Sequence, residues 1–156
     1  MESNVYATPK SEIGNTSTNL TDVKVYTPTQ IACGALVGGP IGLIYFLMTN
    51  FSLLNDDVGK RNVLYAGIAF IIALLFILPM LPDDFPNSPF TVAYVVVARL
   101  VAEKYQMTKK AIIESEQHQF QSSWKAFGIS LICLLGSALV IFVPLLILDT
   151  LGFITL

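Results

Sequence analysis

The sequence predicts an all-α protein, a membrane-embedded bundle of three transmembrane helices with one long amphipathic helix at the membrane interface. Two features of composition and one of order lead there. Hydrophobic residues make up 54% of the 156-residue chain and charged residues 13%, outside the range usual for soluble domains. The apolar residues are gathered into three runs, Ile31–Met48, Val63–Leu81 and Ala126–Leu148, each free of Asp, Glu, Lys, Arg and His. As helices these runs measure about 27–35 Å, which matches the hydrocarbon core of a bilayer.

Residues 1–28 have neither helical nor strand periodicity over a useful length and are expected to form a disordered polar tail, with the membrane domain at 29–156. The sequons Asn15-Thr16-Ser17 and Asn19-Leu20-Thr21 matter only in a glycosylating pathway and are read as chance. No cleavable signal is expected in this polar stretch.

The first span is expected at 31–49. Its glycines Gly34, Gly38 and Gly42 stand at i, i+4 and i+8, a row without side chains where another backbone approaches closely. Pro40 is expected to bend the helix by depriving the Leu36 carbonyl of its donor. The connection FSLLNDDVGKRN carries turn formers and leads antiparallel into the second span, at 63–81, which bears Ala66, Ala69 and Ala73 along one side. Prolines at 79, 82, 86 and 89 end that helix near Leu81, and Ser88 before Pro89 caps the next one.

That next helix, over 89–121, is read from polar residues recurring every three or four positions: Arg99, Glu103, Gln106, Lys110, Glu114, Gln117 and Gln121. Its apolar start, FTVAYVVVARLVA, reaches about 20 Å as helix and is too short to span, so it is expected to lie in the interface or dip shallowly. The polar face is the candidate surface for docking a partner. The third span, at 126–148, sets Ala126, Ser130, Cys133 and Ser137 on one face to pack against the small residues of the other spans. Tyr26, Trp124 and Lys125 are read as interfacial anchors.

The tail and the segment after helix two hold seven Lys and Arg residues, and the first loop holds two, Lys60 and Arg61. By the positive-inside rule the tail faces the cytoplasm and the C-terminus the outside. The net charge of −2, without a basic patch, argues against nucleic acid as a partner.

Searches for reactive constellations end without a set. Gly34 and Gly39 have phosphate-loop spacing, but Pro40 and Ile41 follow where Lys and Ser or Thr are needed. His118 and Glu114 offer two metal ligands, too few for a site, and read as a solvated i,i+4 pair. Asp83 and Asp84 have no partner nucleophile in view. Cys33 and Cys133 lie in apolar runs as small hydrophobes, without a disulfide framework. No catalytic residue, cofactor or metal is therefore expected.

The stretches YTPTQIA, GGPIG, LPDDFPNS, AYVVVARLVAEKYQ and SSWKAFGIS together resemble a group of small bacterial membrane proteins of unassigned function, over residues 26–138. The resemblance implies a bacterial inner-membrane setting and no mechanism. The expected activity is contact with other proteins, as an accessory or organising subunit whose partners are the lipid bilayer and another membrane or cytoplasmic protein, or a second copy of the chain. The alternative is a small oligomeric pore or transport component, with Tyr45, Tyr65, Ser130 and Ser137 as its polar lining.

Overall fold

A computed structural model of the chain describes residues 23–82, 86 and 88–153. The tail through residue 22 with its sequons, and Asp83 and Asp84, fall outside the described residues. The order of elements is β1 (Val23–Val25), α1 (Pro28–Leu53), α2 (Asp57–Ile77) with a single 3-10 turn at Leu78–Met80, α3 (Ser88–Tyr105), α4 (Lys109–Glu114), β2 (His118–Phe120) and α5 (Ser123–Thr150). Among the described residues the fold is all-α apart from the three-residue parallel pairing of β1 with β2, in which Val23 faces His118 and Val25 faces Phe120. Three helical elements, Pro28–Leu53, Asp57–Met80 and Ser123–Thr150, are long and apolar enough to cross a membrane.

The first of these elements turns back on itself. Gly39, at φ 63° and ψ −153°, leaves the helical region for one that is essentially reserved to glycine, and Pro40 follows without an N–H to carry the helix across. Along a straight helix Tyr26 and Asn50 would stand about 36 Å apart. Instead the Tyr26 backbone N–H donates to the Asn50 side chain at 2.8 Å, and the rings of Tyr26 and Phe46 meet edge to face at 4.9 Å. α1 is thus a helical hairpin with arms of residues 28–38 and 40–53.

The two arms pack without a gap because glycine faces glycine across the turn. A Cβ on Gly42 would come within 2.6 Å of the Gly34 carbonyl oxygen, and a Cβ on Gly34 would run into the Phe46 ring. Gly34 and Gly42 therefore oppose each other inside the hairpin. They do not line one straight groove, because the helix that would align them ends at Gly39.

The hairpin is the centre of the molecule. Most of its residues are buried, whereas few of those in α2 and α5 are, and α2, α3 and α5 all pack on it. Ile31, Ala35, Phe46 and Leu47 of the hairpin form the core with Ala98 and Ala102 of α3 and Ala126 of α5. The outward faces of α2 and α5 present Ile72, Phe76, Leu135, Leu139 and Phe142, the pattern of helices solvated by lipid.

The ends of the elements are set by ordinary capping. Thr27 and Gln30 form a capping box that opens α1. Asn55 takes a positive φ of 56° between α1 and α2, and the Asp56 side chain accepts from the Gly59 N–H at 2.8 Å to start α2. The continuous helix predicted over 89–121 is replaced by α3, α4 and β2. The chain breaks at 106–108 because Gln106 turns its amide into the hairpin and Thr108, in extended conformation, caps α4 through the Ala111 N–H. Within the stretch expected as tail, Val23–Val25 form β1 and Thr27 caps α1, which begins at Pro28.

α2 starts directly after the hairpin, α3 ends on Asn50 and Leu47 through Gln106, and α5 starts beside Gln30. The chain therefore runs away from one end in α2, returns in α3 and leaves again in α5. β1, β2, α4 and both ends of the hairpin gather at that one end, which forms a polar cap.

Candidate functional site

Two polar clusters are built into the apolar bundle, one at the hairpin's tip and one at its base. At the tip, a helix reversal frees backbone groups in a buried place, where each unpaired group is costly. Ser137, about halfway along the 28-residue α5, answers two of them at once. Its hydroxyl donates to the Gly38 carbonyl at 2.6 Å and accepts from the Ile41 N–H at 3.1 Å. Gly38 and Gly39 sit against α5 closely enough for this. A Cβ on Gly38 would come within 2.9 Å of the Cys133 Cβ, and one on Gly39 within 3.1 Å of the Ser137 hydroxyl.

At the base, Asn50 is buried to 1% exposure and fully engaged. It accepts from the Tyr26 N–H, donates to the Tyr26 carbonyl at 2.7 Å and donates to the Gln106 side chain at 3.1 Å. Gln106 in turn donates to the Leu47 carbonyl at 2.9 Å. One asparagine thus closes the hairpin and ties α3 to it. Gln30 does the same for α5, donating to the Gln121 carbonyl at 2.8 Å and to the Ser123 hydroxyl at 3.1 Å. Burial pushes the Tyr26 phenol above its ordinary value, with Tyr45 adding to the rise and a hydrogen bond to Gln121 opposing it, so Tyr26 stays neutral at physiological pH.

Of the residues predicted to pack helices, Gly34, Gly38, Gly42, Ser130, Cys133 and Ser137 are buried in the hairpin or between it and α5. On α2 the contact passes instead through Gly67, which lies under Ile44, and through buried Leu74. Ala66 and Ala69 are exposed and Ala73 is half-buried, because the hairpin's second arm meets the helix one position round from the alanine stripe. Ser130 donates to the Ala126 carbonyl at 2.8 Å.

The predicted docking residues do not share one helix face. Arg99 and Glu103 form an exposed ion pair at 2.8 Å on α3, Lys110 and Glu114 are exposed on α4, and Gln117 is exposed before β2. Gln106 is half-buried and its amide belongs to the base cluster. His118 accepts or donates with Ser115 at 2.8 Å, and the break after α4 removes the helical register that would pair it with Glu114. Trp124 is 84% exposed at the start of α5, while Tyr26 is in the core and not an interfacial anchor.

Asn50, Gln30, Tyr26 and Gly67 are functional to the fold and were not singled out as such by sequence. An amide closing an otherwise apolar run was the available signal for Asn50, and Gly-Gly-Pro at mid-run was the signal for the reversal. Among the described residues no buried side-chain nitrogen or oxygen lacks a hydrogen-bond partner, and no group of three His, Cys, Asp or Glu side chains is placed to hold a metal ion. Compared with protein-family models, curated proteins and solved structures, the chain matches none.

Proposed function

We propose that the chain is an integral membrane protein, set in a bacterial inner membrane, that works as an accessory or organising subunit by docking another protein on its polar cap. The observation that carries this reading is the construction of the cap. A β-pairing, a capped short helix and the Gln30 and Asn50 bonds hold a charged surface at fixed positions on one end of the bundle. α4 has one buried residue, Ile112, and presents Lys109, Lys110, Ile113 and Glu114 outward. The hydroxyls of Ser130 and Ser137, candidates for lining a pore, are taken up by hydrogen bonds to backbone carbonyls, which removes support from the pore reading.

In this reading the hairpin enters the bilayer from the cap side, reaches the level of mid-α5 and returns, while α2, α3 and α5 cross. Re-entrant backbone of this kind is tolerated where protein surrounds it. The charge distribution favours the cap as the cytoplasmic end. All eight Lys and Arg residues among those described lie on the cap or on the half of α3 nearer to it, including Lys60 and Arg61, which a straight first span would have placed across the membrane. The N-terminal side is then inside and the C-terminus outside.

Single cysteines at Val58, Gln117 and Phe153, in a background lacking Cys33 and Cys133, test the path. Val58→Cys and Gln117→Cys should react with a membrane-impermeant thiol reagent only after the cytoplasmic face is opened, and Phe153→Cys in intact cells. Labelling of Val58→Cys from the face opposite to Gln117→Cys would mean that the first apolar run crosses. For the docking reading, the charge swap Lys110→Glu with Glu114→Lys should remove a partner that co-purifies with the parent in mild detergent. Both groups are exposed, so stability should change by less than about 0.5 kcal/mol. Undiminished co-purification would sink the assignment of the cap as the docking surface.

A further inference from the structure

The geometry points to a binding site for one anionic phospholipid, with an acyl chain in the cleft between α2 and α3 and the headgroup at Lys104. α2 and α3 both lean on the hairpin's second arm but scarcely touch each other. The gap between them is a cavity of about 220 Å³, floored by Leu43 and Leu47 and walled by Ala66 and Phe70 on α2 and by Ala93 and Val97 on α3. Its lining is almost wholly apolar. The stretch from Val63 to Phe70 is about 10 Å of helix, enough for part of one acyl chain. The small side chains of Ala66 and Ala93, both exposed, leave the space between the walls unfilled.

The occupant follows from what stands at the mouth. The stripe of α3 that lines the cleft, Val97 and Val101, continues one turn toward the cap to Lys104, which is exposed and lies over the Tyr105 ring at 5.3 Å from its centroid. On α2 the corresponding position, one turn before Ala66, is Asn62, also exposed. By helical register an exposed cation and an exposed amide, neither of them among the residues that line the cavity, thus lie one turn beyond its end, on the side where the bundle meets its polar cap. The headgroup of a phospholipid sits at that level when its chains run along the helices, and the lysine selects a negative one. The site does not depend on which leaflet the cap faces, nor on the docking of a protein partner.

Native mass spectrometry of the full chain, released from detergent after incubation with phosphatidylglycerol or phosphatidylcholine, tests it. The parent should retain one phosphatidylglycerol in preference to phosphatidylcholine. Ala66→Phe fills the slot from its α2 wall, and should lower retention of both lipids by about tenfold. Ala93→Leu on the opposite wall should act in the same direction if the first variant does not fold. Lys104→Gln should reduce the preference for the anionic lipid by about fivefold while leaving retention of phosphatidylcholine in place. Retention by both slot-filling variants equal to that of the parent would overturn the acyl site, and an unchanged lipid preference in Lys104→Gln would overturn the headgroup assignment. A parent that is dimeric without lipid and becomes monomeric on Ala66→Phe would show that the cleft seats a second copy, and that result also overturns the proposal.

Discussion

Ser137→Ala should destabilise the protein by about 2–4 kcal/mol, read as an earlier midpoint in denaturing-detergent titration, while Ser130→Ala should cost less than about 1 kcal/mol. The two serines lie two turns apart on the same buried face of α5 and are indistinguishable by pattern. Their partners separate them. Ser130 returns its proton to the Ala126 carbonyl within its own helix, a carbonyl that the helix ladder already reaches, so its loss leaves no group bare. Ser137 holds the Gly38 carbonyl and the Ile41 N–H, two of the groups released where Gly39 and Pro40 interrupt the ladder. Ser137, Gly38 and Gly39 are buried, which leaves solvent poorly placed to replace the hydroxyl. Ser137→Cys, similar in shape but weaker in hydrogen bonding, should fall between the parent and the alanine variant. Equal effects of the two alanine substitutions would mean that the turn finds other partners and that Ser137 is not its cap.

The class of the fold was legible because it rests on composition and on runs of about twenty residues, signals too long to be imitated by chance. The reversal inside the first run was written there as Gly39-Pro40, yet a periodicity argument treats the run as one helix and assigns Gly34, Gly38 and Gly42 to one face. That assignment fails at the residue where the helix does. The same limit explains α3 to β2. Polar residues every three or four positions mark Gln106 as solvated, but an amide is equally at home where a backbone carbonyl needs a donor, and Leu47 supplies one. Once Gln106 is drawn inward, the stripe from Arg99 to Gln117 no longer belongs to one helix. Thr108, capping the Ala111 N–H, was the local sign that a new one starts. The small face of α5 lay on a straight helix, and there the pattern and the buried set coincide at Ala126, Ser130, Cys133 and Ser137. For α2 the alanine stripe was a real feature of the sequence, but Gly67 beside it offered the closer approach.

Replacing the amide at the base should have the largest effect of any single change. Asn50→Leu keeps the approximate shape and removes three hydrogen bonds, leaving the buried Tyr26 N–H and carbonyl and the half-buried Gln106 side chain without their partner. At about 1–3 kcal/mol for each buried group left unsatisfied, the two Tyr26 groups give an expected loss of about 2–6 kcal/mol, enough to open the hairpin's base in a marginally stable protein. Asn50→Asp then asks whether the site is buried as described. The substituted carboxyl can still accept from the Tyr26 N–H, but when ionised it faces the Tyr26 carbonyl and the Gln106 oxygen with no proton to give. Protonation restores a donor, so folding raises the carboxyl's pKa above its unfolded value near 3.9. A group shifted upward contributes stability that is complete below the unfolded pKa and is lost as pH rises through the folded one. The Asn50→Asp protein should therefore approach the parent's stability in acid and fall away from it toward neutral pH, measured as the difference in unfolding midpoint at each pH. A deficit that stays constant with pH would mean that the carboxylate reaches water, and that the amide does not close the hairpin.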